Sequence, residues 1–221
     1  MDLVIYDLDG TLIDSKLDLA HAVNAMLRHT GRTPLDNERV YSYVGNGAPV
    51  LIRRALGDAA SEADVQEGLE FFLEYYRDHM LDYTVPYPGV REAVERLRDA
   101  GVAQAVLTNK PVRISRAIIE GLGMGPCFFQ VYGGNSFDFK KPHPIGVETL
   151  MAECGTMRDR TVMVGDSSVD IKTARNAGIA ACGVTYGFQP ETLADPSPDA
   201  LMDRMEDVAE WVLAHRTGVK S

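Results

Sequence analysis

Four aspartates stand in two short groups that are far apart in the sequence. Asp7 and Asp9 follow the first apolar run of the chain, and Asp166 and Asp170 follow a later one. Clustered carboxylates repel one another and raise their own pKa values unless a cation lies among them. Mg²⁺ binds through a few carboxylates together with waters and the oxygens of a phosphorylated ligand. The two groups therefore predict a Mg²⁺ site if folding brings them together.

Three further polar side chains are suited to binding a phosphoryl group beside such a metal. Thr108 and Asn109 follow another apolar run, and Lys141 follows a third. All three donate hydrogen bonds, and the compact charge of Lys141 would offset that of the aspartates. Each motif alone also fits a simpler structure, such as a turn at Asp7–Gly10 or a helix N-cap at Ser167 or Asp166. Their joint occurrence favours a site for phosphoryl chemistry.

Spacing excludes two other motifs that bind ions or phosphates. An EF-hand loop needs glycine at its sixth position and glutamate at its twelfth, whereas Gly10 is fourth counted from Asp7. A Walker A loop ends in Gly-Lys-Ser/Thr, and the glycines at Gly45–Gly47 lack that ending, as do the other glycine clusters.

The candidate residues would be positioned by the carboxyl ends of parallel strands, where ligands collect in open α/β sheets. Short apolar runs alternate with helical patterns, which predicts an α/β fold, a Rossmann-like parallel-sheet core with helices on both faces. Strands are expected within VAQAVLTN and at Leu3–Leu8, Phe128–Tyr132, Thr161–Gly165 and Ala180–Val184. Helices are expected over REAVERLRDAG and at Val112–Gly121, Ile145–Cys154, Val169–Gly178 and Asp207–His215.

A helical segment interrupts this alternation after the first strand. Between about Asp14 and Tyr83 the chain has helical periodicity without a convincing buried strand. This predicts an inserted helical domain at residues 15–83 and a core domain built from residues 1–14 and 84–221. A chain of 221 residues, 45% of them hydrophobic, is long enough for one main domain with a smaller insertion.

Composition excludes several classes of function. The net charge of −10, with basic residues spread along the chain, argues against nucleic-acid binding. The three cysteines lack the spacing of a disulfide framework or a metal clip. No apolar stretch resembles a secretory signal or a membrane span, so we expect a cytoplasmic protein, a monomer or homodimer without a membrane partner.

Four motifs, DLDGT, LTN, KKPHP and GDSSVD, together resemble the signature of the haloacid dehalogenase-like superfamily of phosphohydrolases. Three longer stretches, YVGNGAPVLIRRAL, VYGGNSFDFKKPHP and VTYGF, resemble its bacterial phosphoglycolate phosphatase branch. The resemblance implies that the helical insertion is an α-helical cap domain. It implies a small phosphorylated metabolite as substrate, most specifically 2-phosphoglycolate.

The resemblance also gives the aspartates separate roles. Asp7 would attack phosphorus to form an aspartyl-phosphate, and Asp9 would protonate the leaving oxygen and then activate water. Asp166 would bind Mg²⁺ directly, and Asp170 would support it through a water or by holding Lys141. The family pattern adds the main-chain carbonyl of Asp9 as a metal ligand.

The remaining roles concern the substrate. Thr108, Asn109 and Lys141 would bind the phosphoryl oxygens. Gly45, Asn46 and Gly47, ahead of a helix, are candidate backbone donors to the substrate carboxylate, with a plain interhelical turn as the alternative.

Several other activities are compatible with parts of the pattern. A sugar phosphatase or a phosphosugar mutase would use the same four motifs. Dehalogenation is disfavoured because the dehalogenases of the family lack the second aspartate of the first motif, whereas Asp9 is present here. Phosphonate cleavage is disfavoured because it needs a cap lysine that forms a Schiff base, and residues 18–82 contain no lysine. A receiver-type signalling domain is disfavoured because its acidic pair precedes the phosphorylated aspartate on an earlier strand.

Overall fold

The computed structural model describes residues 1–216, which form two compact units. One unit contains Met1–Ile13 together with the described residues from Pro86 onward, and the other contains Asp14–Val85. The second unit therefore begins one residue before the predicted start of the insertion and ends two residues after its predicted end. The short strands β2 (Ile13–Asp14) and β3 (Val85–Pro86) pair with each other where the chain passes from one unit to the other.

The first unit is built on a six-stranded parallel sheet with the strand order β5-β4-β1-β6-β7-β8. The strands are β1 (Leu3–Tyr6), β4 (Ala103–Leu107), β5 (Gln130–Tyr132), β6 (Thr161–Gly165), β7 (Ala180–Val184) and β8 (Ala200–Met202). The helices are α5 (Val90–Asp99), α6 (Val112–Gly121), α7 (Ile145–Cys154), α8 (Ser168–Ala177) and α9 (Met205–Ala214). Short 3₁₀ turns lie at Gly125–Cys127, Arg158–Arg160 and Pro190–Ala194.

Helices cover both faces of this sheet. Leu3 and Ile5 of the central strand β1 lie in a buried cluster with residues of α7 and α8. The opposite face carries Tyr6, whose hydroxyl donates to Gln104, and the Gln104 amide donates to a carbonyl of α5. Every residue of β1 is buried, which explains its continuous apolar sequence. The predicted α/β fold is confirmed.

Two predicted strands are longer than those observed. β1 ends at Tyr6 instead of Leu8, because the Leu8 carbonyl accepts from the following turn and its amide donates to Asp7 Oδ1. β5 begins at Gln130, since Phe128 closes the preceding 3₁₀ turn. The edge strand β8 was not predicted.

The second unit contains four helices, α1 (Lys16–His29), α2 (Asn37–Tyr41), α3 (Ala48–Leu56) and α4 (Glu62–His79). Helix α4 approaches its neighbours closely at Gly68, where an added Cβ would lie 3.2 Å from Met26 Sδ and 3.3 Å from Ile52 Cγ2. None of the helices in residues 1–216 is long and apolar enough to span a membrane.

Candidate active site

The loops that follow β1, β4 and β6 begin at the same edge of the sheet. β1 pairs with β4 on one side and with β6 on the other, all in parallel. Asp7 therefore starts the central loop, with Thr108 and Asp166 starting the two flanking loops. This arrangement brings together residues that are up to 159 positions apart in sequence, as the strand pattern predicted.

Asp7, Asp166 and Asp170 form a compact carboxylate cluster. One oxygen from each of the three side chains lies within 4.8 Å of the others. Asp170 is fully buried, and Asp166 is 3% exposed. Since oxygen donors of this kind are those that Mg²⁺ prefers, the donor set fits a hard divalent cation.

Lys141 joins two members of the cluster. Its Nζ lies 2.9 Å from Asp7 Oδ1 and 2.7 Å from Asp170 Oδ1. Burial acts to lower the pKa of Lys141, but the charges of Asp170 and Asp7 outweigh burial and the pKa is raised. Lys141 is therefore a fixed positive charge inside the site.

The cluster carries more buried negative charge than Lys141 compensates. Burial, together with the charges of Asp170 and Asp7, raises the pKa of Asp166 to about 8, against backbone donors that lower it. Burial likewise raises the pKa of Asp7 to about 6, although Lys141 opposes the shift. A cation among these oxygens would stabilise the ionised carboxylates and so lower both pKa values. The electrostatics of the site therefore fit a bound metal ion, as does its set of oxygen donors.

Asp166 is held on both of its oxygens. The Thr11 hydroxyl donates to Oδ1 at 3.2 Å, and the amide of Phe188 donates to Oδ2 at 2.7 Å. Gly10 lies against the same carboxylate, where an added Cβ would be 2.3 Å from Oδ2, and its φ of +84° is itself unfavourable for other residues. Asp166 therefore has a single well-defined orientation.

Asp170 lies in the first turn of α8 and serves two purposes. Its Oδ2 accepts from the amide and hydroxyl of Ser167 at 3.1 and 2.7 Å, while Oδ1 accepts from Lys141. The helix-capping interpretation and the site interpretation of GDSSVD are thus both compatible with the geometry. Two supporting roles were expected for Asp170, binding the metal through a water or holding Lys141. The direct contact between Asp170 and Lys141 fits the second role.

Asp9 lies outside the carboxylate cluster and pairs with Lys110, which is not among the predicted site residues. Lys110 Nζ lies 2.8 Å from Asp9 Oδ1 and 3.1 Å from Oδ2. Lys110 is only 6% exposed although it lies in a loop. A lysine directly after Thr108-Asn109, at a strand end in a strongly acidic chain, was the available signal.

Thr108 and Asn109 are buried at the end of β4. The Thr108 amide donates to the Tyr132 carbonyl of β5, and the Asn109 amide group donates to the Lys141 carbonyl at 3.2 Å. The two residues thus adjoin the segment that carries Lys141.

Gly45, Asn46 and Gly47 belong to the helical unit. Gly47 is the N-cap residue of α3 and has a φ of +87°. The expected helix does begin here, and the substrate-binding role of the three residues stays a prediction.

Comparison with known proteins places this site in a family. The model of the haloacid dehalogenase-like hydrolase family matches residues 4–184. The chain belongs to this family. Phosphoglycolate phosphatase of Vibrio parahaemolyticus is 39% identical over 219 residues, covering 95% of both chains. Phosphoglycolate phosphatase of Chromobacterium violaceum is 41% identical over 189 residues, covering 84% of this chain and 85% of its own.

A solved structure of similar shape comes from Haemophilus somnus and is described as a predicted phosphoglycolate phosphatase. Its TM-score is 0.91 with 32% identity, and the match covers 96% of this chain and 97% of that one. The comparisons confirm the expected haloacid dehalogenase-like family and the expected class of enzyme, a phosphatase.

Proposed function

We propose that this enzyme is a Mg²⁺-dependent phosphatase that hydrolyses a small phosphate monoester, 2-phosphoglycolate, through an aspartyl-phosphate on Asp7. The observation that carries the proposal is the cluster of Asp7, Asp166 and Asp170, two of which, Asp7 and Asp170, pair with the buried Lys141. The choice of substrate rests on relatives near 40% identity that are named phosphoglycolate phosphatase.

Asp7 is assigned the role of nucleophile. Its Oδ1 accepts from the Leu8 amide at 2.7 Å and from Lys141 at 2.9 Å, and both donors restrict rotation of the carboxylate. A fixed carboxylate is suited to in-line attack on phosphorus, because orientation lowers the entropic cost of the transition state.

Mg²⁺ would be held by side-chain oxygens of Asp7 and Asp166, with the main-chain carbonyl of Asp9 as a further proposed ligand. Asp170 would support the site by fixing Lys141. A bound cation supplies neutralisation of charge on the transferring phosphoryl group.

The other polar residues act on the substrate. Lys141, Thr108 and Asn109 would bind phosphoryl oxygens. Asp9 would give its proton to the leaving oxygen and then take one from the water that hydrolyses the intermediate.

Selection of the substrate is assigned to the helical unit. Gly45, Asn46 and Gly47 are proposed as backbone donors to the substrate carboxylate, because they precede the N-terminus of α3, where free amides favour anions. A sugar phosphatase or phosphosugar mutase would differ chiefly in this selection.

A panel of phosphate esters tests the proposal. The purified enzyme is assayed with Mg²⁺ for release of phosphate from 2-phosphoglycolate, glucose 6-phosphate and β-glucose 1-phosphate. We expect kcat/KM for 2-phosphoglycolate to exceed the others by at least about 100-fold, the scale of discrimination that a few buried polar contacts provide. Faster release from a sugar phosphate, or isomerisation that needs a bisphosphate primer, would overturn the substrate assignment.

A further inference from the structure

Lys110 is a buried cation to which the proposed function gives no role. It contacts both oxygens of Asp9, at 2.8 and 3.1 Å, and its side chain is 4% exposed. Lys141, by contrast, contacts Asp7 and Asp170. The two lysines therefore hold different carboxylates, one at the proposed nucleophile and the other at the proposed proton donor.

The turn that carries Lys110 is held by a second loop, residues 133–135. The Gly134 amide donates to the Lys110 carbonyl at 2.9 Å, and the Val112 amide donates to Asn135 Oδ1 at 2.9 Å.

The two glycines permit this close packing of backbones. An added Cβ at Gly133 would lie 2.3 Å from the Val112 nitrogen, and one at Gly134 would lie 2.4 Å from the Asn109 oxygen. Side chains here would displace the turn. The Gly-Gly-Asn sequence thus fixes the backbone from which Lys110 extends.

A buried ion pair is weak evidence for a role in stability alone, because the cost of desolvating both charges offsets their attraction. Contact of one ammonium group with both oxygens does, however, restrict the rotation of a short carboxylate. Since general acid catalysis depends on placing the proton donor within hydrogen-bond reach of the leaving oxygen, such restriction affects the rate of one step in particular.

We propose that Lys110 is a positioning residue that holds the Asp9 carboxyl group where it transfers a proton to the leaving oxygen. The inference rests on the proposed function. In the step concerned, Asp9 enters as the carboxylic acid, an Asp7 oxygen forms a bond to phosphorus, and the bond from phosphorus to the leaving oxygen breaks. The proton of Asp9 goes to that oxygen, which leaves Asp9 as the carboxylate paired with the Lys110 ammonium group through both oxygens.

The test compares two small substrates that differ in their need for this proton. The alkoxide leaving group of 2-phosphoglycolate needs protonation, whereas the acetate leaving group of acetyl phosphate is stable without it. The readout is kcat/KM, because it reports the steps up to the first phosphoryl transfer and not the later hydrolysis of the intermediate.

For Lys110→Met, we expect kcat/KM on 2-phosphoglycolate to fall about 10- to 100-fold, part of the effect that general acids provide. On acetyl phosphate we expect kcat/KM to fall by less than about threefold, because the acetate leaving group needs little protonation by the general acid. Lys110→Arg keeps a cation at this position and should recover part of the kcat/KM on 2-phosphoglycolate that Lys110→Met loses. The control Lys172→Met changes an exposed lysine of α8 and should leave both rates unchanged.

Equal losses on both substrates in a variant that unfolds at the wild-type temperature would overturn the role of Lys110, as would Lys110→Arg performing no better than Lys110→Met. If the wild-type enzyme released phosphate from neither substrate, the proposed function itself would fail. The two failures are therefore distinguishable.

Discussion

At the scale of single residues, the stability of the folded protein depends on the buried ion pair between Lys141 and Asp170. The Lys141 ammonium group is the partner of Asp170 Oδ1, and both side chains are almost fully buried. Lys141→Met leaves that carboxylate without its cation, so we expect a loss of about 3–5 kcal/mol in the free energy of unfolding, together with loss of activity. Chemical denaturation of the metal-free protein measures the first effect. The neighbouring exposed Lys140→Met serves as control and should change stability by less than about 0.5 kcal/mol. Equal stability of Lys141→Met and the parent would contradict this account.

Residue types and order were sufficient to select most of the candidate site. Asp7, Asp166, Asp170 and Lys141 were chosen as acids or bases at predicted strand ends, and they meet in the structure. Lys110 was missed because its partner Asp9 is 101 positions away, and no local pattern distinguishes a buried lysine from a solvated one.

At the scale of elements, the loop after β7 orients Asp166 through its backbone. The amides of Phe188 and Gln189 donate to Oδ2 at 2.7 and 3.3 Å. An added Cβ at Gly187 would lie 2.2 Å from Asp166 Cβ and 2.4 Å from the Gly10 carbonyl oxygen, so Gly187→Ala must displace this loop. We expect about 10- to 100-fold weaker Mg²⁺ binding, the usual effect of losing groups that orient a ligand.

Calorimetric titration with Mg²⁺ measures this affinity. Gly125→Ala is the matched control, because the nearest atom to an added Cβ there is Glu120 Cγ at 3.9 Å. Unchanged Mg²⁺ affinity in Gly187→Ala would show that the loop does not orient Asp166.

In the helical unit, Asp18 joins α1 to the segment that leads into β3. Its buried carboxylate accepts from the amides of Tyr83 and Thr84 and from the Thr84 hydroxyl at 2.7 Å. Asp18→Ala leaves buried donors without an acceptor, so we expect a loss of about 2–4 kcal/mol. Urea denaturation measures it, and the exposed Asp58→Ala is the control. Similar midpoints for the two variants would refute the prediction.

Sequence periodicity located the long buried elements better than the short or exposed ones. α6, α7, β6 and β7 have the predicted ends, because apolar periodicity and glycine or proline boundaries mark them clearly. β8 was missed because its apolar run is only three residues long and none of the three is buried. The end of β1 depends on hydrogen bonds within the following turn, which periodicity does not report.

At the scale of the whole molecule, metal binding and proton binding compete for the same carboxylates. The pKa values of Asp7 and Asp166, about 6 and about 8, lie above the value of 3.8 for an unperturbed aspartate. The metal-free folded protein therefore holds more protons than the unfolded chain between about pH 4 and 8, and these groups reduce its stability as the pH rises through that window. Mg²⁺ needs the deprotonated oxygens, so its stabilising effect should grow over the same window.

Thermal unfolding with Mg²⁺ and with a chelator measures this effect. We expect the increase in unfolding temperature caused by Mg²⁺ to be larger near pH 8 than near pH 5.5, and to be reduced in Asp166→Asn. A larger increase at the lower pH would contradict the assignment of the cluster as the metal site.

The overall organisation was also accessible from the sequence, since the helical insertion was recognised by its missing strands. The residues by themselves did not select the substrate, because the core motifs serve several phosphoryl-transfer reactions and no comparable motif marks the helical unit; 2-phosphoglycolate was predicted from the family resemblance alone. The assignment of Gly45, Asn46 and Gly47 therefore depends on the substrate panel.

The most direct test of the central claim is the activity of Asp7→Asn on 2-phosphoglycolate at saturating Mg²⁺. The exchange keeps the size of the side chain and removes the nucleophilic carboxylate, so kcat should fall by at least about 10³-fold in a protein that remains folded. Turnover within about tenfold of the parent enzyme would contradict covalent catalysis by Asp7.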